Sequence, residues 1–135
     1  MKELALLGSS VTGLIVGIES TAHTLSFGVV DFEGNLYPSH SSLFRPEEGG
    51  IHPREAADHH SESISNLLES LSSSANFSWN LVQAIAFSQG PGLGPCLRIG
   101  ASVARSLSSR LGVPLIGVNH CVAHIEIGRN QTGCE

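Results

Sequence analysis

Val82-Gln83-Ala84-Ile85-Ala86-Phe87-Ser88-Gln89-Gly90-Pro91-Gly92-Leu93-Gly94-Pro95 is a short apolar run closed by a turn of glycine and proline. Such a run, bounded by such a turn, reads as a buried strand over residues 82–88. The turn hands over to residues 96–111, which read as a helix. Gly112-Val113-Pro114 stops that helix and resets the chain for a strand at 115–118. The strand leads directly into Asn119-His120-Cys121-Val122-Ala123-His124-Ile125-Glu126, read as a second helix. Strand, helix, strand, helix points to an α/β architecture.

Upstream, the pattern changes. Residues 14–18 and 25–32 are β-rich runs flanking the turn Glu19-Ser20-Thr21, and Glu33-Gly34-Asn35 is the next turn. Residues 36–44 read as a third strand, placed at a sheet edge because Pro38 lacks a ladder donor. These three make an antiparallel meander, and residues 45–53 form a loop. Pro53 suits a first helical turn, and Glu55 complements the dipole there. Ala57, His60, Ile64, Leu67, Leu68 and Leu71 then share one helical face, until Ser72-Ser73-Ser74 ends the period. The expected fold is therefore α/β, a β-meander followed by β-α-β-α, with no internal repeat.

The chain has 135 residues, enough for one domain with its own core. Twelve acidic residues against seven basic ones give a net charge of −5, and Lys2 is the only lysine. A chain that binds nucleic acid unaided normally shows a basic patch, and none is visible here; if RNA is involved, most phosphate contacts must come from elsewhere. Three cysteines, Cys96, Cys121 and Cys134, show no framework spacing, which favours a reducing compartment. At the N-terminus, Glu3 and Gly8-Ser9-Ser10 interrupt the apolar run, and no small-residue cleavage site follows, so a signal peptide is not expected. No run reaches the roughly 18 apolar residues of a membrane span. The expected location is cytoplasmic, without membrane partners.

Four short stretches could carry chemistry. In Gly17-Ile18-Glu19-Ser20-Thr21-Ala22-His23-Thr24, hydroxyls and backbone N–H groups suit phosphate oxygens, and Glu19 could position a metal or a water. Turns select serine and threonine in any case, so a plain hairpin competes. In the glycine-rich turn, Gly90, Gly92 and Gly94 would let the backbone approach a ligand at a helix N-terminus. It is neither a P-loop nor a dinucleotide fingerprint, and a purely steric need for glycine competes. Asp58-His59-His60 has the order of a phosphoesterase tripeptide but lies in an amphipathic helix, where a structural role is favoured. Finally, His120 and His124 stand at i, i+4, which puts two imidazoles on one helix face within reach of one divalent metal. A zinc peptidase would carry its general-base glutamate at position 121, where this chain has Cys121.

Taken in order, four stretches resemble the Kae/TsaD family of tRNA threonylcarbamoyl transferases, in its archaeal branch. They are Gly17 to Thr24, Gly49-Gly50-Ile51-His52-Pro53 with Asp58-His59-His60, Ala86 to Pro95, and Gly117 to Glu126. The resemblance implies the first lobe of the actin/Hsp70/sugar-kinase (ASKHA, RNase H-like) fold at residues 14–135, with residues 1–13 as an extension. It implies transfer of threonylcarbamoyl from threonylcarbamoyl-AMP to the amino group of the adenosine beside the anticodon. The family's metal-binding histidines map onto His120 and His124, and Glu19, Ser20 and Thr21 match the superfamily's first phosphate loop. One divalent metal per subunit is implied, Fe2+ ahead of Zn2+, with ATP or an adenylate as ligand of a full-length enzyme. Implied partners are tRNA and KEOPS-type subunits that include a small kinase; self-assembly as a dimer is an option. The family's later Ser-Gly-Gly loop, second lobe and metal-binding aspartate have no counterpart in these residues, so the chain alone is expected to be inactive.

Two rival readings remain. A small-molecule kinase of the same superfamily would use the first phosphate loop without needing the histidines. A scaffold or dimerisation module would be marked by an exposed apolar surface on the helix that carries Ala57 and Leu71.

Overall fold

The computed structural model describes residues 13–134; the expected extension at residues 1–13 lies, Gly13 apart, outside them. Eight elements follow in order: β1 (Leu14–Glu19), β2 (Thr24–Asp31), β3 (His40–Leu43), α1 (Pro53–Ser72), β4 (Val82–Gly90), α2 (Gly94–Leu111), β5 (Leu115–Asn119) and α3 (His120–Thr132). A single 3-10 turn, Trp79–Leu81, precedes β4. The expected β-meander followed by β-α-β-α is what forms.

The five strands make one sheet in the order β3-β2-β1-β4-β5. The meander pairs antiparallel, with Gly17 opposite Gly28 and Phe27 opposite His40. β1 then pairs parallel with β4, and β4 parallel with β5. The C-terminal ends of β1, β4 and β5 therefore lie side by side.

Residues alternate between the two faces of each strand. Leu14, Val16 and Ile18 of β1 and Leu25, Phe27 and Val29 of β2 are buried, joined by Ile85 of β4. Leu67 and Leu71 of α1 and Ala104 of α2 complete this cluster, so both helices cover the same face. Burying a leucine or phenylalanine side chain of this kind is worth about 1.5–3 kcal/mol, and this layer holds the sheet rigid. On the other face stand Ile15, Gly17, Ser26 and Gly28, small or partly exposed, below an open groove of about 640 Å³. Helix α3 overhangs that groove, and its Asn130 amide reaches the Gly34 carbonyl at 3.3 Å.

Three expected boundaries move for physical reasons. The edge strand begins at His40 rather than Leu36; around Pro38 only a single Val30–Leu36 bridge survives. Helix α2 begins at Gly94, two residues earlier than expected, because Pro95 fits its first turn. Phe32 falls outside β2 and is exposed. The apolar face of α1 is not available as a docking surface: Ala56, Ala57, His60, Leu67 and Leu71 are buried. Exposed apolar side chains include Leu115, Ile116, Val122, Ile125 and Ile127 on the last two elements, with Phe32, Leu36, Leu43 and Ile51 elsewhere. Among the described residues no helix is long and apolar enough to cross a membrane.

Candidate metal centre

β5 delivers the histidine pair. Its last residue, Asn119, has extended backbone, and its side-chain oxygen accepts hydrogen bonds from the N–H groups of Cys121 (2.9 Å) and Val122 (3.2 Å). This is a helix N-cap, which satisfies two backbone donors that the first turn cannot pair itself. His120 becomes the first residue of α3, fixed at the end of the sheet, and His124 stands one turn on. Their rings meet edge to face with centroids 4.5 Å apart. His120 is half-buried, and Cys121 is exposed beside it.

Glu19 enters the site from β1. Its Oε1 accepts the Thr21 N–H at 2.6 Å, and its Oε2 accepts the Ser88 hydroxyl. The same Oε2 lies 3.1 Å from His120 Nδ1. Partial burial pushes this carboxyl up, but the hydrogen bonds from Ser88, Thr21 and His120 outweigh it and hold it below its ordinary value of 4.5. Glu19, Ser88 and His120 stand at the C-terminal ends of β1, β4 and β5, where open α/β sheets gather their ligands. Glu19, Ser88, His120 and His124 all line the groove.

The turn residues behave differently. Ser20 is buried with its side chain against Gly100 of α2, and the Thr21 N–H is engaged by Glu19. Both groups face protein here. Of the three loop glycines, Gly92 carries a steric requirement: a Cβ there would stand 2.5 Å from the Thr21 carbonyl oxygen. The Leu93 N–H donates to that same oxygen at 2.7 Å, so the two loops are tied together. Gly90 has φ +137°, which favours glycine, and Gly94 has open space around it. His60 lies in the core with Nε2 2.8 Å from the Ala22 carbonyl oxygen, which ties α1 to the same turn.

Two imidazoles on one turn suit a divalent ion, and the carboxylate at His120 Nδ1 leaves that ring's Nε2 for it. Among the described residues no cluster of three His, Cys, Asp or Glu side chains has metal-holding geometry, so this chain offers a pair of donors. Ser88 and Asn119 were not singled out as site residues from the sequence. Asn119 was readable, as a capping residue directly before a helix; Ser88 was not, because its role depends on strand pairing.

A mixed sheet covered on one face, with its site at the ends of parallel strands, defines the fold class: the first lobe of the actin/Hsp70/sugar-kinase type. The described chain is similar in structure to two Pseudomonas aeruginosa proteins. One is an uncharacterized protein with similarity to peptidase YEAZ (TM-score 0.62, 22% identity, 80% of this chain and 44% of that one). The other is YeaZ (TM-score 0.56, 22% identity, 80% and 43%). The family model described as TsaD, tRNA N6-adenosine threonylcarbamoyltransferase, matches residues 38–134, and the chain belongs to this family.

Curated relatives bear the same name. The tRNA N6-adenosine threonylcarbamoyltransferase of Archaeoglobus fulgidus is 52% identical over 120 residues, covering 89% of this chain and 36% of the relative. That of Pyrobaculum calidifontis is 50% identical over 125 residues, covering 92% and 37%. A probable bifunctional tRNA threonylcarbamoyladenosine biosynthesis protein of Methanosphaera stadtmanae is 48% identical over 122 residues, covering 90% and 23%. The chain thus spans little more than a third of the length of the first two relatives.

Proposed function

We propose that this chain forms the metal-carrying lobe of a tRNA N6-adenosine threonylcarbamoyltransferase. The reaction moves a threonylcarbamoyl group from threonylcarbamoyl-AMP to the amino group of the adenosine beside the anticodon. One observation carries the reading: His120 and His124 stand together on the first turn of α3, at the mouth of the groove, with His120 Nδ1 against a carboxylate. A divalent ion held by them, Fe2+ in preference to Zn2+, supplies Lewis acidity and a template for oxygen donors. The chain's own part is to hold the two imidazoles at the ends of β5 and β1, on a sheet whose other face is locked to α1 and α2.

Among the described residues two donors do not make a complete metal shell, and a net charge of −5 does not favour an RNA surface. The remaining ligands, the adenylate or ATP pocket and the contacts to tRNA belong to further protein, including KEOPS-type subunits with a small kinase. The 135-residue chain alone is inactive in this reading. The kinase alternative is less favoured, because the Ser20 side chain and the Thr21 N–H face protein rather than an open phosphate site.

A chimera tests the proposal. The matching segment of the Archaeoglobus fulgidus relative is replaced by this chain, and N6-threonylcarbamoyladenosine in tRNA is measured by mass spectrometry of the nucleosides. The chimera should modify tRNA, and the same chimera with His120→Ala should not. A folded chimera without transfer, or full transfer after His120→Ala, would overturn the reading.

A further inference from the structure

Glu19 has more partners than a strand-terminal glutamate needs. Left free at the end of β1, its side chain would extend into water. Instead both carboxylate oxygens are held: Oε1 by the Thr21 N–H at 2.6 Å, and Oε2 by the Ser88 hydroxyl and His120 Nδ1, the latter at 3.1 Å. The contacts come from three separate segments, and His120 is 101 residues away along the chain.

We propose that Glu19 is a positioning residue, which fixes the tautomer and the orientation of His120 as a metal ligand; this rests on the metal reading of the histidine pair. A neutral imidazole has one N–H donor and one lone pair. An ionised carboxylate only accepts, so the ring nitrogen that faces it must carry the proton. Nδ1 therefore keeps the hydrogen, and Nε2 presents its lone pair away from Glu19. A ligating histidine gains basicity and a fixed ring plane from such a carboxylate. The requirement also accounts for the choice of side chain. Asparagine or glutamine could turn its amide N–H toward the ring and select the other tautomer. Aspartate is one methylene shorter and would withdraw the carboxylate from Ser88 and His120. Ser88 serves as a brace: from β4 it holds Oε2 at the point where His120 meets it.

The test uses the 135-residue chain labelled with 15N-histidine, without metal, at a pH where the imidazoles are neutral. Long-range 1H–15N correlation spectra report which ring nitrogen of His120 is protonated, and zinc alone is then titrated. Wild type should show Nδ1–H at His120. Glu19→Ala should lose that preference and bind Zn2+ about 10–100-fold more weakly. Ser88→Ala, which removes the brace but leaves the carboxylate, should weaken the tautomer preference less than Glu19→Ala does. An Nε2–H tautomer in the wild type overturns the inference even if no variant folds. Equal Zn2+ affinity in wild type and folded Glu19→Ala overturns it as well. Absence of Zn2+ binding by the wild type instead sinks the metal reading of the pair, a result distinguishable from either.

Discussion

Replacing Gly92 by alanine should break the junction between the two loops that support the site. A Cβ on Gly92 would stand 2.5 Å from the Thr21 carbonyl oxygen, 2.8 Å from its Cβ and 2.9 Å from its Cα. Ordinary contact begins near 3.4 Å, so the loops must separate by about 0.9 Å. Two of those three atoms are backbone, and no flexible side chain can yield instead. The Leu93 N–H bond to Thr21, now 2.7 Å, would be stretched beyond useful range by such a shift. Overpacking strain costs about 1–3 kcal/mol, and the lost hydrogen bond about 0.5–1.5 kcal/mol. The expected destabilisation is about 2–4 kcal/mol. In urea, with a slope of about 2 kcal/mol/M, the unfolding midpoint falls by about 1–2 M. Gly94→Ala provides the contrast two residues later. Nothing beyond its chain neighbours lies within 4 Å of a Cβ there, so it should cost much less than Gly92→Ala. Wild-type stability in Gly92→Ala, or equal losses in both variants, would refute the steric account.

Two further perturbations probe the supports of the site. Burial holds His60 below its ordinary value of 6.5, and the nearby His59 and His23 reinforce this against the Ala22 carbonyl. The unfolded chain therefore binds more protons there, so this contribution to stability is complete above pH 6.5 and is lost as pH falls through the folded value. Chemical denaturation across pH 5–8, on the order of the unfolded value, should show this slope in wild type and a smaller one in His60→Gln; identical slopes would refute it. Asn119→Ala removes the acceptor for the Cys121 and Val122 N–H groups. It should cost about 1 kcal/mol and raise amide exchange in the first turn of α3, and unchanged exchange there would show that the cap does not hold His120.

Elements whose signal is local were readable in advance. Pro53, Glu55 and the Ala57-to-Leu71 period define α1 within the chain itself, and Gly112 with Pro114 marks the end of α2. The meander was visible because residues 14–18 and 25–32 are β-rich runs separated by turn residues. The parallel pairing of β1 with β4 carries no such signal, because the whole of β2, β3 and α1 intervenes. That pairing is what brings Glu19 to Ser88 and His120. The histidine pair was therefore legible from its i, i+4 spacing and Glu19 from its turn, whereas the contact between Glu19 and His120 was not. Gly92 shows the same limit: a glycine-rich turn is obvious, but the Thr21 backbone that demands glycine is some seventy residues away. The spacing also could not tell that Ser20 would be turned toward α2, since a one-residue difference at a strand end reverses the direction of a side chain.

The central claim is that His120 and His124 together bind one divalent ion. Calorimetric titration of the 135-residue chain with Zn2+, beside His120→Ala and His124→Ala, tests it most directly. The account predicts one ion per wild-type chain and loss of that binding in each variant, with folding unchanged. Binding that survives both substitutions would contradict it.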